Sequence, residues 1–327
     1  MRFSRELLPN PAIHLHVRVL ILINAMFARL QSPLLALFFL VLSVPCWAAA
    51  PTDMQRRFDE FNKVIRDMLE LPEHARVPAI TARFDALFDA YFAGQSLAAL
   101  SDAEVELLFR ATDDMAYFPS GAKYTDLLMR THGELLRRSI ATSRHHAALH
   151  GELIEARRFS EARALYRAHP EDLEALPELV AEPIDAPSVW AVDVTPNRLT
   201  RQALDADRTS IVALVHPRCH FSQKALATIL SDPLLRPMFA RHATLIVPTE
   251  RAFRIDEVRQ WNQEQPEFPM AFMHTRSDWP MFRAWGTPVF YFFRDGKLEE
   301  TVDGWPQGGS REALLQAGTR LGLLKEP

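Results

Sequence analysis

Cysteine is almost absent from this chain of 327 residues; there are two, Cys46 and Cys219. The first falls in an apolar run, Leu34 to Trp47, that is followed by Ala48-Ala49-Ala50, the order expected of a secretory signal and its small-residue cleavage site. Loss of residues 1–50 would leave one thiol and exclude an internal disulfide, although an exporting compartment permits them. A single thiol in that setting is either buried and inert or reactive. Long apolar runs are lacking as well. A membrane span needs about 20 apolar residues, and this run is shorter and is broken by Pro45, so an uncleaved anchor is the weaker alternative. Pro45 also occupies the place where a lipid-anchor motif needs a small residue, which argues against lipidation of Cys46. Arg29 supplies the positive flank, and Met26 stands just ahead of it; both Met1 and Met26 remain open as the start, residues 1–25 being an upstream extension in the second case. The expected location is periplasmic or otherwise exported, or membrane-tethered if the signal stays attached.

Excess positive charge is a third lack. Removing residues 1–50 takes away four basic residues and one acidic residue, which leaves 33 Lys+Arg against 40 Asp+Glu and a net charge of −7. Such a balance gives no reason to expect a nucleic-acid partner. The composition of the whole chain, 48% hydrophobic with ordinary charge, is that of a globular protein long enough for two domains.

Residues 51–170 carry helical periodicity throughout. Phe58, Phe61, Val64, Ile65, Met68 and Leu69 recur at spacings of three and four, as do Phe84, Leu87, Phe88, Tyr91 and Phe92 before Gly94 stops the segment. Ser101-Asp-Ala-Glu104 is a capping box that opens a third helix through Leu107, Leu108 and Phe109. Further helices are expected at 123–139 and 144–157. The stretch from Gly151 through Ala162 and Tyr166 to Pro170 weakly resembles a tetratricopeptide helix-turn-helix; it is one residue short between Gly and Ala and has no second copy in register, so an ordinary helical hairpin is the alternative. Residues 171–187, acidic and punctuated by Pro177, Pro183 and Pro187, are expected to form a linker.

From 188 the pattern alternates. It predicts strands at 188–195, 211–215, 243–248, 270–274, 288–293 and 297–302, the last two joined around Asp295-Gly296, with helices at 198–206, after Cys219, at 254–263, 278–285 and 310–323. Strands and helices in this order describe a mixed sheet covered on both faces. The central element is the run Ile211 to Val215, ended by Pro217 and followed by Phe221, Ala225, Leu226, Ile229 and Leu230 at helical spacing. Cys219 therefore falls at a helix N-terminus, at the carboxyl end of a buried strand. Free N–H groups and the positive end of the helix dipole favour a thiolate there, below the ordinary thiol pKa of about 8.5.

Cys219-His220-Phe221-Ser222 at that junction, then Gly286-Thr287-Pro288 opening a later strand, Asp295-Gly296-Lys297 and Asp303-Gly304, resemble the thioredoxin fold over residues 188–325, with the extra segment between 250 and 285 closer to the membrane-anchored or periplasmic TlpA-like branch than to thioredoxin itself. The resemblance implies an α/β fold: a thioredoxin-like mixed sheet covered by helices, preceded by an all-α N-terminal domain. It further implies a cis Thr287-Pro288 bond beside the thiol, and a substrate chain held by Thr287, Pro288, His220 and Phe221. The sequence departs from the family at two places. Ser222 replaces the second cysteine of C-x-x-C, so a mixed disulfide cannot be resolved from within, and Ala213 stands where the family carries a buried carboxylate.

The resemblance thus points to a monothiol thiol–disulfide oxidoreductase in which Cys219 attacks as thiolate, Ser222 hydrogen-bonds it, and Arg218, His216 and His220 are potential cationic neighbours. Its partners would be protein or small-molecule thiols and disulfides, with an external thiol needed for resolution. No cofactor and no metal are implied. Other readings of the same thiol stay open. Monothiol glutaredoxins share Cys-x-Phe-Ser, but His220 replaces their glycine; peroxiredoxins place Thr or Ser where His216 stands; His216, Cys219 and His220 form a soft-metal set short of a second thiolate. The alternative from another class is a redox-inert adaptor or binding module whose helical domain binds a protein partner.

Overall fold

A computed structural model describes residues 52–118, 121–204 and 210–324. The expected signal segment lies outside the described residues, among which no helix is long and apolar enough to cross a membrane. Six helices precede the first strand among these residues: α1 (Asp53–Met68), α2 (Glu73–Phe92), α3 (Asp102–Ala116), α4 (Ala122–Arg137), α5 (Ser143–Glu155) and α6 (Phe159–Ala168). The aromatic stripes read from the sequence meet in one core. Phe84 packs against Phe61 at 5.0 Å, Phe88 at 4.7 Å and Tyr124 at 5.5 Å between ring centroids, each pair adding about 0.5–1.5 kcal/mol beyond its buried area. The capping box forms as spaced: the Ser101 hydroxyl accepts the Glu104 N–H, and the Glu104 carboxylate accepts the Ser101 N–H at 2.9 Å.

The strands are β1 (Glu178–Val180), β2 (Ser188–Val192), β3 (Arg198–Ala203), β4 (Ile211–Leu214), β5 (Ala243–Val247), β6 (Met270–Met273), β7 (Val289–Arg294) and β8 (Lys297–Asp303), in the sheet order β1-β3-β2-β6-β5-β4-β7-β8. The later helices are α7 (His220–Ser231), α8 (Leu235–His242), α9 (Ile255–Glu264) and α10 (Arg311–Arg320). β4 runs parallel to β5 and antiparallel to β7, and β8 returns antiparallel to β7. With α7 in the β4–β5 crossover and α10 after β8, this half of the sheet has a thioredoxin-like fold. All four residues of β4 are buried, as a strand covered on both faces must be. Ile211 and Ala213 face Ala225, Ile229, Phe239, Val258 and Leu314 of the four helices. Val212 and Leu214 face Ile246, Tyr291, Trp279 and Phe282 on the other side.

That second face corrects one expectation. Residues 278–285 form no α-helix; a single 3-10 turn, Arg276–Asp278, leads into an extended segment. Pro280 lacks an N–H and pushes Trp279 to φ −128, ψ 57, out of helical geometry. The segment lays its aromatic rings flat on the sheet instead, Phe282 stacking on Tyr291 with centroids 3.6 Å apart. The helix expected at 198–206 is also absent over 198–203, where β3 pairs antiparallel with β2; residues 205–209 lie outside the described set. Asn197, at φ 53, turns the chain back tightly enough for Leu199 to oppose Val192. Residues 171–187 contain β1, parallel to β3. α8 was not anticipated; the Asp232 carboxylate opens it by accepting the N–H groups of Leu234 at 2.8 Å and Leu235 at 2.9 Å.

Helices and sheet meet along a polar seam. Arg157 donates to the carbonyls of Met273 at 2.6 Å and His274 at 2.7 Å at the end of β6. Arg251 reaches Asp113 at 2.7 Å, and Arg276 reaches Glu155 at 3.0 Å and Thr249 at 2.7 Å. Gly151 allows the closest approach, since a Cβ there would lie 2.8 Å from the Cβ of Arg251.

Candidate functional site

β4 delivers the chain to a tight turn in which the Cys219 N–H donates to the His216 carbonyl at 3.0 Å. Cys219 is then the N-cap of α7, so the free N–H groups of the first helical turn point toward its side chain. Ser222 is fully buried one turn on, and its hydroxyl oxygen accepts the His216 N–H at 3.2 Å. That leaves the Ser222 proton available to sulfur. Across from the thiol, the Thr287–Pro288 peptide bond is cis, and the Cys219 S–H donates to the Thr287 carbonyl at 3.2 Å. The structure therefore brings Cys219, Ser222, Thr287 and Pro288 together from two loops 68 residues apart.

Opposing influences act on the sulfur. Burial pushes the thiol up, and hydrogen bonds offered by the Thr287 hydroxyl, by the N–H and hydroxyl of Ser222 and by the Phe221 N–H pull it down; the balance lies below the ordinary thiol value. The S–H bond to the Thr287 carbonyl holds the protonated form and works against that balance. The donors outnumber it, and they sit where the helix end is positive. Cys219 itself remains partly exposed, so the sulfur is open to a reactant.

The expected cationic neighbours are turned elsewhere. His216 accepts the Arg218 N–H on Nδ1 at 3.1 Å and places Nε2 3.2 Å from Glu250, which fixes its proton on Nε2 and its ring away from the sulfur. This orientation also removes the soft-metal set. Arg218 is exposed and faces Glu257 at 3.8 Å. His220 is exposed and meets only the ring of Phe221, at 5.7 Å, and Phe221 itself is 53% exposed beside the thiol. Hydrogen bonds, not cations, set the character of Cys219.

Two groups support the loop opposite the thiol: Gly304, which belongs to a motif named above, and Glu73, which no motif points to. Glu73, in the first turn of α2, accepts the N–H groups of Trp285 at 2.8 Å and Gly286 at 3.2 Å, just before Thr287. The Pro288 carbonyl accepts the Gly304 N–H at 2.9 Å on the other side. No local sequence signal connects Glu73 to a loop more than 200 residues away. Cavities of about 660, 580 and 510 Å³ lie along the seam, and Cys219 lines none of these three. Cys219 is partly exposed.

No family model and no curated protein matches the chain. Among solved structures, a thioredoxin-like protein from Bacteroides caccae aligns over 84% of this chain and 95% of its own, at 10% identity and a TM-score of 0.28.

Proposed function

We propose that the protein is an exported monothiol that carries out thiol–disulfide exchange through Cys219. The observation that carries this reading is the place of a partly exposed Cys219 at the N-cap of α7, beside Ser222 and the cis Thr287–Pro288 bond, a setting that favours a thiol below its ordinary pKa. A lowered pKa raises the thiolate fraction, and the thiolate is the nucleophile. Its sulfur attacks one sulfur of a substrate disulfide, forms a Cys219–substrate disulfide and expels the other substrate sulfur as thiolate. Ser222 cannot attack the adduct, so a low-molecular-weight thiol or a second protein thiol must do so, becoming oxidised as Cys219 is released. The external thiol ends in a mixed disulfide with the substrate sulfur it attacked, and a second external thiol, oxidised to the disulfide with the first, completes the two-electron reduction by releasing the substrate as free thiol. The exposed side chains of His220 and Phe221, with the Thr287-Pro288 loop beside Cys219, offer an extended protein segment a place to lie.

The test is the rate of alkylation of Cys219 against pH, run beside non-reducing gels of protein exposed to glutathione disulfide. A midpoint below about 8.5, with adducts that persist until thiol is added, is the expected result. Ser222→Cys should shorten the life of the adducts, and Cys219→Ala should abolish them. A midpoint at or above the ordinary value, with no adducts, would replace exchange by the redox-inert adaptor.

A further inference from the structure

The helical layer contains an unusual concentration of buried imidazole. His132 on α4, His146 and His150 on α5, and the half-buried His169 at the end of α6 lie in one region; His132 and His146 meet at 5.3 Å, and His146 stacks on His169 at 3.7 Å between ring centroids. Buried polar atoms are normally hydrogen-bonded. Here the Nε2 atoms of His132, His146 and His150 all lack a partner among the described residues, although the three side chains are between 3% and 6% exposed. Three unmatched nitrogens in one place need a physical reason.

We propose that His146 and His169, with the carboxylate of Asp172, bind a divalent transition-metal ion of borderline softness such as Zn²⁺. One donor atom from each of the three lies within 4.8 Å of the other two. An ion bound at about 2.0–2.2 Å from each donor requires the partly exposed His169 to swing out of its 3.7 Å stack on His146 so that both ring nitrogens aim at one point. His146 Nδ1 lies 2.8 Å from Asp172 Oδ2, so two of the three donor atoms already stand together, and the ion would take the place of the hydrogen bond between them. Two imidazoles and one carboxylate suit Zn²⁺ and its neighbours better than Ca²⁺ or Mg²⁺, which require oxygen. The short loop from His169 to Asp172 is closed by the Asp172 N–H donating to the His169 carbonyl at 3.2 Å. Of the three ligands, Asp172 also lines the cavity of about 660 Å³, beside His150. None of the thiol site's residues takes part.

The experiment uses the full chain carrying Cys219→Ser, which removes the thiol as a ligand. After chelator treatment, Zn²⁺ binding is measured by competition with a chromogenic chelator, and Co²⁺ is added separately to read the visible d–d absorption of a protein-held ion. The expected result is one Zn²⁺ per chain. His169→Gln and Asp172→Asn, both at partly exposed positions where folding should survive, should each weaken binding about tenfold or more and remove the Co²⁺ band. Far-UV circular dichroism confirms that the variants are folded. Absence of stoichiometric Zn²⁺ binding to the parent, or folded variants that bind as tightly as the parent, would overturn the proposal.

Discussion

The Glu73 carboxylate accepts the Trp285 N–H at 2.8 Å, tying the first turn of α2 to the loop that carries Thr287. The same carboxylate takes the Gly286 N–H, so one side chain satisfies two successive donors. Glu73→Ala should therefore cost about 1–2 kcal/mol, measured by urea unfolding. It should also raise the pH midpoint of Cys219 alkylation, because Thr287 loses its support. Unchanged stability and an unchanged midpoint would show that the loop holds itself.

Two helical glycines should respond in opposite senses to the same substitution. At Gly151 a new Cβ would stand 2.8 Å from the Cβ of Arg251, an atom fixed to the backbone that cannot swing aside. Gly151→Ala should destabilise by about 1–3 kcal/mol despite the better helix propensity of alanine. Gly133 on α4 has nothing within 4 Å of its ideal Cβ, so Gly133→Ala should stabilise by about 0.5–1 kcal/mol. Thermal unfolding of both variants separates packing from propensity.

Glu152 gives the seam a pH dependence. Burial raises its carboxyl to about 7 from 4.5, against the hydrogen bond from Thr125 and the charge of Arg251. A raised carboxyl pKa means that the folded chain holds the proton more tightly than the unfolded chain. This contribution is therefore complete below pH 4.5 and is lost as pH rises toward about 7. His132, lowered to about 4 from 6.5, acts in the opposite sense, its contribution being lost as pH falls through that range. The difference between wild type and Glu152→Gln isolates the carboxyl. The variant keeps an oxygen for Thr125 and should be more stable at pH 8 by about 1–3 kcal/mol, with the gap closing by pH 4.5. A constant gap across that range would rule out the shift.

Thr287→Val removes one hydroxyl donor and preserves the branched shape beside Pro288. The midpoint of Cys219 alkylation should rise, and Ser222→Ala should raise it further, since the Ser222 N–H remains but its hydroxyl is lost. If neither change moves the midpoint, the helix end alone sets the thiol.

Much of this arrangement was legible in one dimension because its causes are local. A continuous apolar run at Ile211 to Val215 admits a buried strand, Pro217 ends it, and the helical spacing after His220 places Cys219 at a helix start. Ser101 and Glu104 are three residues apart, and a capping box depends on nothing more distant. Ser222, Thr287 and Pro288 were recognisable through a family resemblance that spans two separate motifs. The helices expected at 198–206 and 278–285 failed where tertiary pairing overrode periodicity: β3 is held by β2 and β1, and the aromatic side chains after Trp279 are held by the sheet. Pro280 was a visible signal against the second of these helices.

The amino-acid sequence by itself determined the two textures of the chain, the strand-to-helix placement of Cys219, and the serine that stands three residues after it in place of a second cysteine, each a matter of residues within one or two turns of one another. Tertiary structure alone decided that His216 turns to Glu250, that Glu73 supports the loop opposite the sulfur, and that His146, His169 and Asp172 converge. The physical reason is the range of the forces involved. Periodicity and capping act along the chain, whereas the direction of a side chain and the partner it meets depend on which distant segment the packing of the core brings beside it.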